Sequence, residues 1–198
     1  MAIVNTRPPV EAVPRPFTAA DLAEMPRELP SGPIHYELDN GRLIAMSPTG
    51  HKHGDVEFKI AKSLGDAAED QRLGKIYTGE TGIVLWRNPD RVVGADLAFV
   101  GRASLPVQAS REGYLETIPD LVVEVVSKND TAPYIQRKVD DYLKAGVRFV
   151  WVADPEARTL TEHRREAKPR TYAQSEIVTL PELIPGLRLS LEEVFNFQ

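Results

Sequence analysis

The sequence predicts an α/β domain of the α+β kind, a mixed sheet flanked by helices with an N-terminal hairpin, and three observations carry that prediction. Within Pro119 to Ser127 (PDLVVEVVS), the residues after Asp120 form an apolar run too short for a membrane span, with a single acid, Glu124, inside it. Alternation places Val122, Glu124 and Val126 on one face and Leu121, Val123 and Val125 on the other, so the strand is apolar on both sides and reads as central. A helical stretch and a second apolar run, Val147 to Ala153, follow it. That order gives a parallel pair joined by a crossover helix. Upstream, short alternating runs separated by turn residues predict antiparallel pairing.

Taken in order, residues 1–17 carry Pro8, Pro9, Pro14 and Pro16 with little periodicity and are expected to form a flexible arm, with one domain over 18–198. Thr18-Ala19-Ala20-Asp21 is a helix start, with Asp21 near the positive end and Pro26 as the stop. Pro26 to Pro33 reads as loop, and Ile34 to Met46 as a hairpin turning at Asn40-Gly41. Val56, Ile60, Leu64 and Ala67 then recur at helical spacing, with His53 on the same stripe, Glu57 close beside it, and His51 and Asp55 off it. Ile76 to Thr78, Thr81 to Trp86 and Arg91 to Val100 read as a strand meander with turns at Gly79-Glu80 and Asn88-Pro89-Asp90. Residues 101–118 form a long connection without clear periodicity.

After the central strand, Asn129 or Asp130 is the expected N-cap of a helix with Pro133 in its first turn and Gly146 as its stop. Thr159 to Arg164 alternates as a hairpin partner of the second apolar strand. His163, Arg164, Arg165, Lys168 and Arg170 make the densest basic run, a solvated face or a phosphate contact. Glu176 to Leu180, a Pro-Gly turn and the capping pattern Ser190-Leu191-Glu192-Glu193 end the chain.

Composition removes several chemistries. The absence of cysteine excludes disulfides, thiolate zinc and cysteine nucleophiles, and fits a reducing compartment. No stretch approaches the roughly 20 apolar residues of a membrane span, and Met1 to Phe17 carry prolines where a signal peptide would be apolar, so a soluble cytoplasmic protein is expected. A net charge of −5 argues against a uniformly basic coat for nucleic acid. There is no GxxxxGK[ST] loop, GxSxG elbow or HExxH helix, and the four histidines offer only His51-x-His53 as a weak metal pair.

What remains is a set of charges where apolar residues belong. Glu124 costs several kcal/mol inside its strand unless compensated, so it is either half of a buried ion pair or a carboxylate aimed at a metal or substrate. Asp96 shares a face with Val92, Gly94, Ala98 and Val100 and poses the same choice. His53 is a satisfied core histidine or a ligand. Lys138, between Tyr134 and Tyr142 at the margin of its helix stripe, either snorkels to water or reaches a pocket. Two hard carboxylates suit Mg²⁺ or Mn²⁺, and a lysine suits a phosphate oxygen or an attacking water, so phosphodiester hydrolysis uses all three.

These residues also carry a resemblance. Tyr36-Glu37-Leu38-x-Asn40-Gly41, Ser47-Pro48, His53 on a helix, Asp96-x-Ala98-Phe99-Val100, Pro119 to Ser127, Lys138-x3-Tyr142-Leu143-x-Ala145-Gly146-Val147 and Trp151-Val152-x-Asp154-Pro155 occur in an order that resembles the Uma2 family over roughly residues 34 to 195. That family is assigned to the PD-(D/E)xK nuclease superfamily with a restriction-endonuclease-like fold. The resemblance implies a four- or five-stranded mixed sheet flanked by helices, dependence on Mg²⁺ or Mn²⁺, and Asp96 and Glu124 as metal-binding acids. It also implies Glu37 and His53 as further pocket residues, DNA as the substrate, and a homodimer in which two sites cut two strands. Two positions depart from the pattern: Ala95 stands where proline precedes the first acid, and Val126 stands where the superfamily's ExK lysine falls. Lys138 would then supply the charge from the helix. A catalytically silent nucleic-acid-binding protein that keeps the fold is the alternative that Val126 and the acidic charge allow.

Overall fold

The computed structural model describes residues 15–30, 32–69, 71–105 and 113–197. Of the arm expected over 1–17, residues 1–14 lie outside the described residues. Helix α1 (Ala19–Ala23) opens on a capping box in which the Thr18 hydroxyl accepts the Asp21 amide and the Asp21 carboxylate accepts the Thr18 amide. Strands β1 (Glu28–Leu29) and β2 (Gly32–Pro33) make a small ribbon inside the stretch expected as loop. The hairpin β3 (His35–Asp39) and β4 (Arg42–Met46) turns at Asn40 and Gly41, whose φ angles of 50° and 78° are those a type I′ turn needs. Helix α2 (His51–Glu69) leads to β5 (Gly74–Trp86), β6 (Arg91–Gly101) and β7 (Leu121–Val125). Helix α3 (Ala132–Ala145), with Pro133 in its first turn, ends at Gly146 in the left-handed region, φ 113°. It is followed by β8 (Phe149–Asp154), β9 (Thr159–Arg164), β10 (Arg170–Ala173), β11 (Ile177–Leu180), β12 (Ile184–Ser190) and α4 (Leu191–Val194).

Among the described residues one eight-stranded mixed sheet runs in the order β10-β9-β8-β7-β6-β3-β4, with β5 on the other edge of β6. β7 and β8 are parallel, Leu121 opposite Phe149 through Val125 opposite Ala153, and α3 is their crossover. On the α3 face, Val139 and Tyr142 pack against Ala98, Val122 and Val150. On the other face, Val56, Ile60 and Leu64 of α2 pack against Leu97, Leu121, Val123 and Trp151, with α4 and the β11-β12 ribbon extending that layer. Each such aliphatic side chain, fully buried, stabilises by about 1.5–3 kcal/mol relative to exposure. Ala19 and Leu22 of α1 close a smaller cluster over Leu38, Val84 and Val92. No described helix is long and apolar enough to cross a membrane.

The sheet is interrupted at one place. β6 pairs with β5 along nearly all its length, but its second edge meets β3 only where Leu38 lies opposite Val92, and β7 only from Leu97 opposite Val123 to Phe99 opposite Leu121. Between these, β3 and β7 splay apart and leave residues 93–96 without a ladder partner on that side. Buried backbone groups must find partners, and here side chains provide them. The Gly94 amide donates to Glu37 Oε1 at 3.0 Å, the Gly94 carbonyl accepts from Lys138 Nζ at 3.0 Å, and Asp96 Oδ2 accepts the Val125 amide at 2.6 Å.

Several elements differ from the sequence reading. Ile76 to Thr78 and Thr81 to Trp86 are one strand, β5, and Gly79-Glu80 is a bulge, with φ of 74° and 56° and a register shift between Thr78 and Thr81. The N-cap of α3 is Thr131, because Asp130 turns its carboxylate back to the Ser127 amide at 2.7 Å. β10, unanticipated, begins at Arg170, where the basic run ends. The sheet exceeds the four or five strands that the resemblance implies because the hairpins β3-β4 and β9-β10 extend it on both sides.

Candidate active site

The gap between β3 and β7, along one edge of β6, opens a cavity of about 400 Å³ whose lining includes Glu37, His53, Asp96, Glu124 and Lys138, all five residues singled out from the sequence. Glu124 sits one residue before the end of β7, and α3 returns across the sheet so that Lys138 Nζ lies 2.8 Å from Glu124 Oε2. The Tyr142 hydroxyl, one turn on, donates to Glu124 Oε1. Both carboxylate oxygens are thus engaged. Lys138 also donates to the Gly94 carbonyl and forms an ion pair with Glu37 Oε1 at 3.3 Å. Burial pushes the Glu124 carboxyl up to about 7, and the charge of Asp96 acts in the same direction against Lys138 and Tyr142. Burial alone would lower Lys138, but the fields of Glu124 and Glu37 outweigh it, so the ammonium stays charged.

Glu37 is the hub of the other half. Besides the Gly94 amide and Lys138, it accepts the Tyr134 hydroxyl at 3.3 Å and lies 3.4 Å from Arg91 Nη1. Arg91 is itself buried, donating Nε to Asp141 of α3 at 2.8 Å and Nη1 to the Leu38 carbonyl at 3.0 Å. Burial would lower the Arg91 guanidinium, yet Asp141 and Glu37 raise it above its ordinary value.

Asp96 faces a different set of partners. Because the strands splay, a residue from the α2 layer reaches it through the gap: His53 Nε2 lies 3.2 Å from Asp96 Oδ2. The other ring nitrogen, Nδ1, is 3.9 Å from Glu57 Oε2. It is also, among the described residues, the one fully buried side-chain nitrogen or oxygen without a hydrogen-bond partner. Glu57 is fixed from behind by the Gly79 amide, 3.1 Å from its Oε1. One ligand atom from each of His53, Glu57 and Asp96 lies within 4.8 Å of the others, close enough for one cation to bridge them. Burial raises the Glu57 carboxyl, with Asp96 and Glu80 adding to it; the His53 imidazole, which burial would lower, is raised by the hydrogen bond and charge of Asp96.

Sequence reasoning placed Glu57 beside the helix stripe but gave it no role. The signal was His53-x3-Glu57, a one-turn pair on a helix whose inward histidine already stood out. The basic run is brought nowhere near the cavity. β7 carries Glu124 toward its carboxyl end, and across the sheet Leu121 at the opposite end lies level with Phe149 and Arg164. The tip at Arg165 to Lys168 therefore extends from the far end of the sheet.

The family model for Uma2, described as "Putative restriction endonuclease", matches residues 20–192. Among solved structures, the chain is similar to a crystal structure of "a putative nuclease belonging to DUF820" from Anabaena variabilis ATCC 29413, with a TM-score of 0.74 and 18% identity, covering 91% of this chain and 98% of that one. At that identity the likeness speaks to the fold. No curated protein matches the chain.

Proposed function

Since this chain belongs to the Uma2 family of restriction-endonuclease-like proteins, we propose that the cavity hydrolyses phosphodiester bonds of nucleic acid, DNA foremost, with Mg²⁺ or Mn²⁺. The observation that carries the reading is the buried His53 imidazole set between two carboxylates, Asp96 at its Nε2 and Glu57 on the side of Nδ1, with Nδ1 left without a hydrogen-bond partner. An imidazole with two hard oxygen donors fits such an ion, and the surplus of buried negative charge favours a cation. Asp96, His53 and Glu57 would hold it. Glu124, the second metal acid expected from the sequence, would join only by giving up Lys138 or Tyr142. When bound, a divalent ion neutralises charge on the scissile phosphate and acidifies a water for attack. Lys138 supplies a fixed positive charge at the cavity wall. With hydrogen bonds to Glu124 and the Gly94 carbonyl and only an ion pair to Glu37, at 3.3 Å, it keeps one proton for a phosphate oxygen. The same reading carries a cytoplasmic location and a pair of chains.

A second reading has its own support. Lys138 is held by hydrogen bonds to Glu124 and the Gly94 carbonyl and by the charge of Glu37, both Glu124 oxygens are satisfied within the protein, as in a structural ion pair, and Val126 occupies the ExK lysine position. The protein would then bind nucleic acid without cutting it. Incubation with supercoiled, linear and branched DNA, with Mg²⁺ or Mn²⁺ and with EDTA, separates the two. Metal-dependent nicking that vanishes in Asp96→Ala supports hydrolysis, and binding without cleavage, unchanged in that variant, supports the silent protein. Calorimetry with Mn²⁺ identifies the ligands: Glu57→Gln weakens binding by about 10- to 100-fold, whereas Glu124→Gln leaves it near the wild-type value.

A further inference from the structure

The five charged or titratable residues at the floor of the cavity are 2–6% exposed. An intact duplex presents its phosphates on a broad stacked cylinder, with grooves about 6 and 12 Å wide, and cannot bring one to groups so deeply set. Enzymes that act in enclosed pockets take nucleotides already out of the stack. A cavity of about 400 Å³ is of the size that holds a small ligand, and a nucleotide is one.

The wall above the floor has the composition such a strand requires. Met25, Ile34, Tyr36 and Tyr114 give it an apolar, aromatic side. Tyr114 lies against β5 at Gly82, where an added Cβ would meet the ring at 2.4 Å, so the glycine makes room for the aromatic face. At the rim, His35 Nδ1 reaches Glu80 Oε2 of the β5 bulge at 2.9 Å. Arg27, exposed at the same rim, makes no ion pair among the described residues, although other arginines around the site, Arg87, Arg91 and Arg137, are paired with acids. An aromatic wall and an unpaired guanidinium over an acidic floor are the parts of a single-strand site: stacking for bases, a cation for a phosphate on the way in.

We propose that this cavity admits an unpaired strand, a single strand or the frayed arm of a fork, and selects against intact duplex, with Tyr114 stacking a base and Arg27 holding a flanking phosphate. The cleavage half of this inference rests on the hydrolase reading; the binding half does not. The test uses the full chain and three fluorescent oligonucleotides of one sequence: single-stranded, blunt duplex, and a duplex with an unpaired arm. Anisotropy in Ca²⁺ and cleavage in Mn²⁺ are read in parallel.

The single strand and the arm should bind at least tenfold more tightly than the duplex, and cuts should fall in unpaired segments. Arg27→Gln, at an exposed position, should weaken single-strand binding and flatten its log–log salt slope by about one unit. Tyr114→Leu should weaken it about tenfold, and Mn²⁺ binding should survive in both variants. Equal binding of duplex and single strand, or no binding of either, overturns the inference whatever is cleaved. Preferred single-strand binding with no cleavage in any metal overturns the hydrolase reading and leaves strand selection standing.

Discussion

Glu124 and Lys138 show what a single residue inside an apolar run must arrange. The structure answers the cost of burying Glu124 with an ammonium, a phenol and a partial proton, and this last has a measurable sign. The carboxyl's ordinary value is 4.5 and its folded value about 7. Between them the native chain holds a proton that the unfolded chain has lost, so this group's contribution to stability is greatest below about pH 4.5 and falls as pH rises through 7. Urea titrations in EDTA should therefore show stability decreasing by a few kcal/mol over that window, and Glu124→Gln should flatten the decrease. A wild-type slope unchanged by that variant would place the proton elsewhere. Glu124, Asp96 and Lys138 were legible in the sequence because each is a charge among apolar neighbours at strand or helix spacing. Arg91 was not, since it opens its strand next to the turn Asn88-Pro89-Asp90, where a charge is ordinarily solvated. Its burial follows from Glu37 and Asp141, which are distant in sequence.

At the scale of elements, the bulge in β5 does the least visible work. Gly79 and Glu80 read as a turn because both devices ask for positive φ; what distinguishes them is whether a neighbouring strand continues past, and β6 does. The bulge aims the Gly79 amide at Glu57 and the Glu80 carboxylate at His35. Nothing lies within 4 Å of a Cβ added at Gly79, so Gly79→Ala carries only the backbone cost of φ 74°. That is about 1 kcal/mol by thermal or urea denaturation. Because Glu57 loses its anchor as the bulge shifts, Mn²⁺ affinity should fall in the same variant while the fold persists. A variant destabilised by that amount with undiminished Mn²⁺ binding would detach Glu57 from the centre. Capping signals, by contrast, were legible from local residues alone at Thr18, Gly146 and Ser190.

The whole molecule has a polarity that no local window contains. The parallel step β7-α3-β8 was readable from two apolar runs around a helix, but the splaying of β3 from β7, which creates the cavity, depends on pairings between residues 38 and 92 and between 97 and 123. The same topology sends the β9-β10 hairpin to the opposite end. Its basic run is thus a solvated face with respect to the cavity. Arg165→Glu, Lys168→Glu and Arg170→Glu combined should leave cleavage of a short oligonucleotide within about twofold of wild type at fixed salt, where a charge reversal at a phosphate contact changes binding by orders of magnitude.

The missing ladder pairs around Gly94 also give the protein a clock. An amide inside a continuous sheet exchanges with solvent only when strands separate, but the Gly94 amide is sheltered by the Glu37 carboxylate and can open with the movement of one side chain. In native-state hydrogen exchange, Gly94 should trade its proton by a low-energy local opening while Leu97 and Phe99, three and five residues along the same strand, wait for larger unfolding. Occupation of the cavity should then reset the Gly94 rate alone, turning one peptide N–H into a timer for whatever enters.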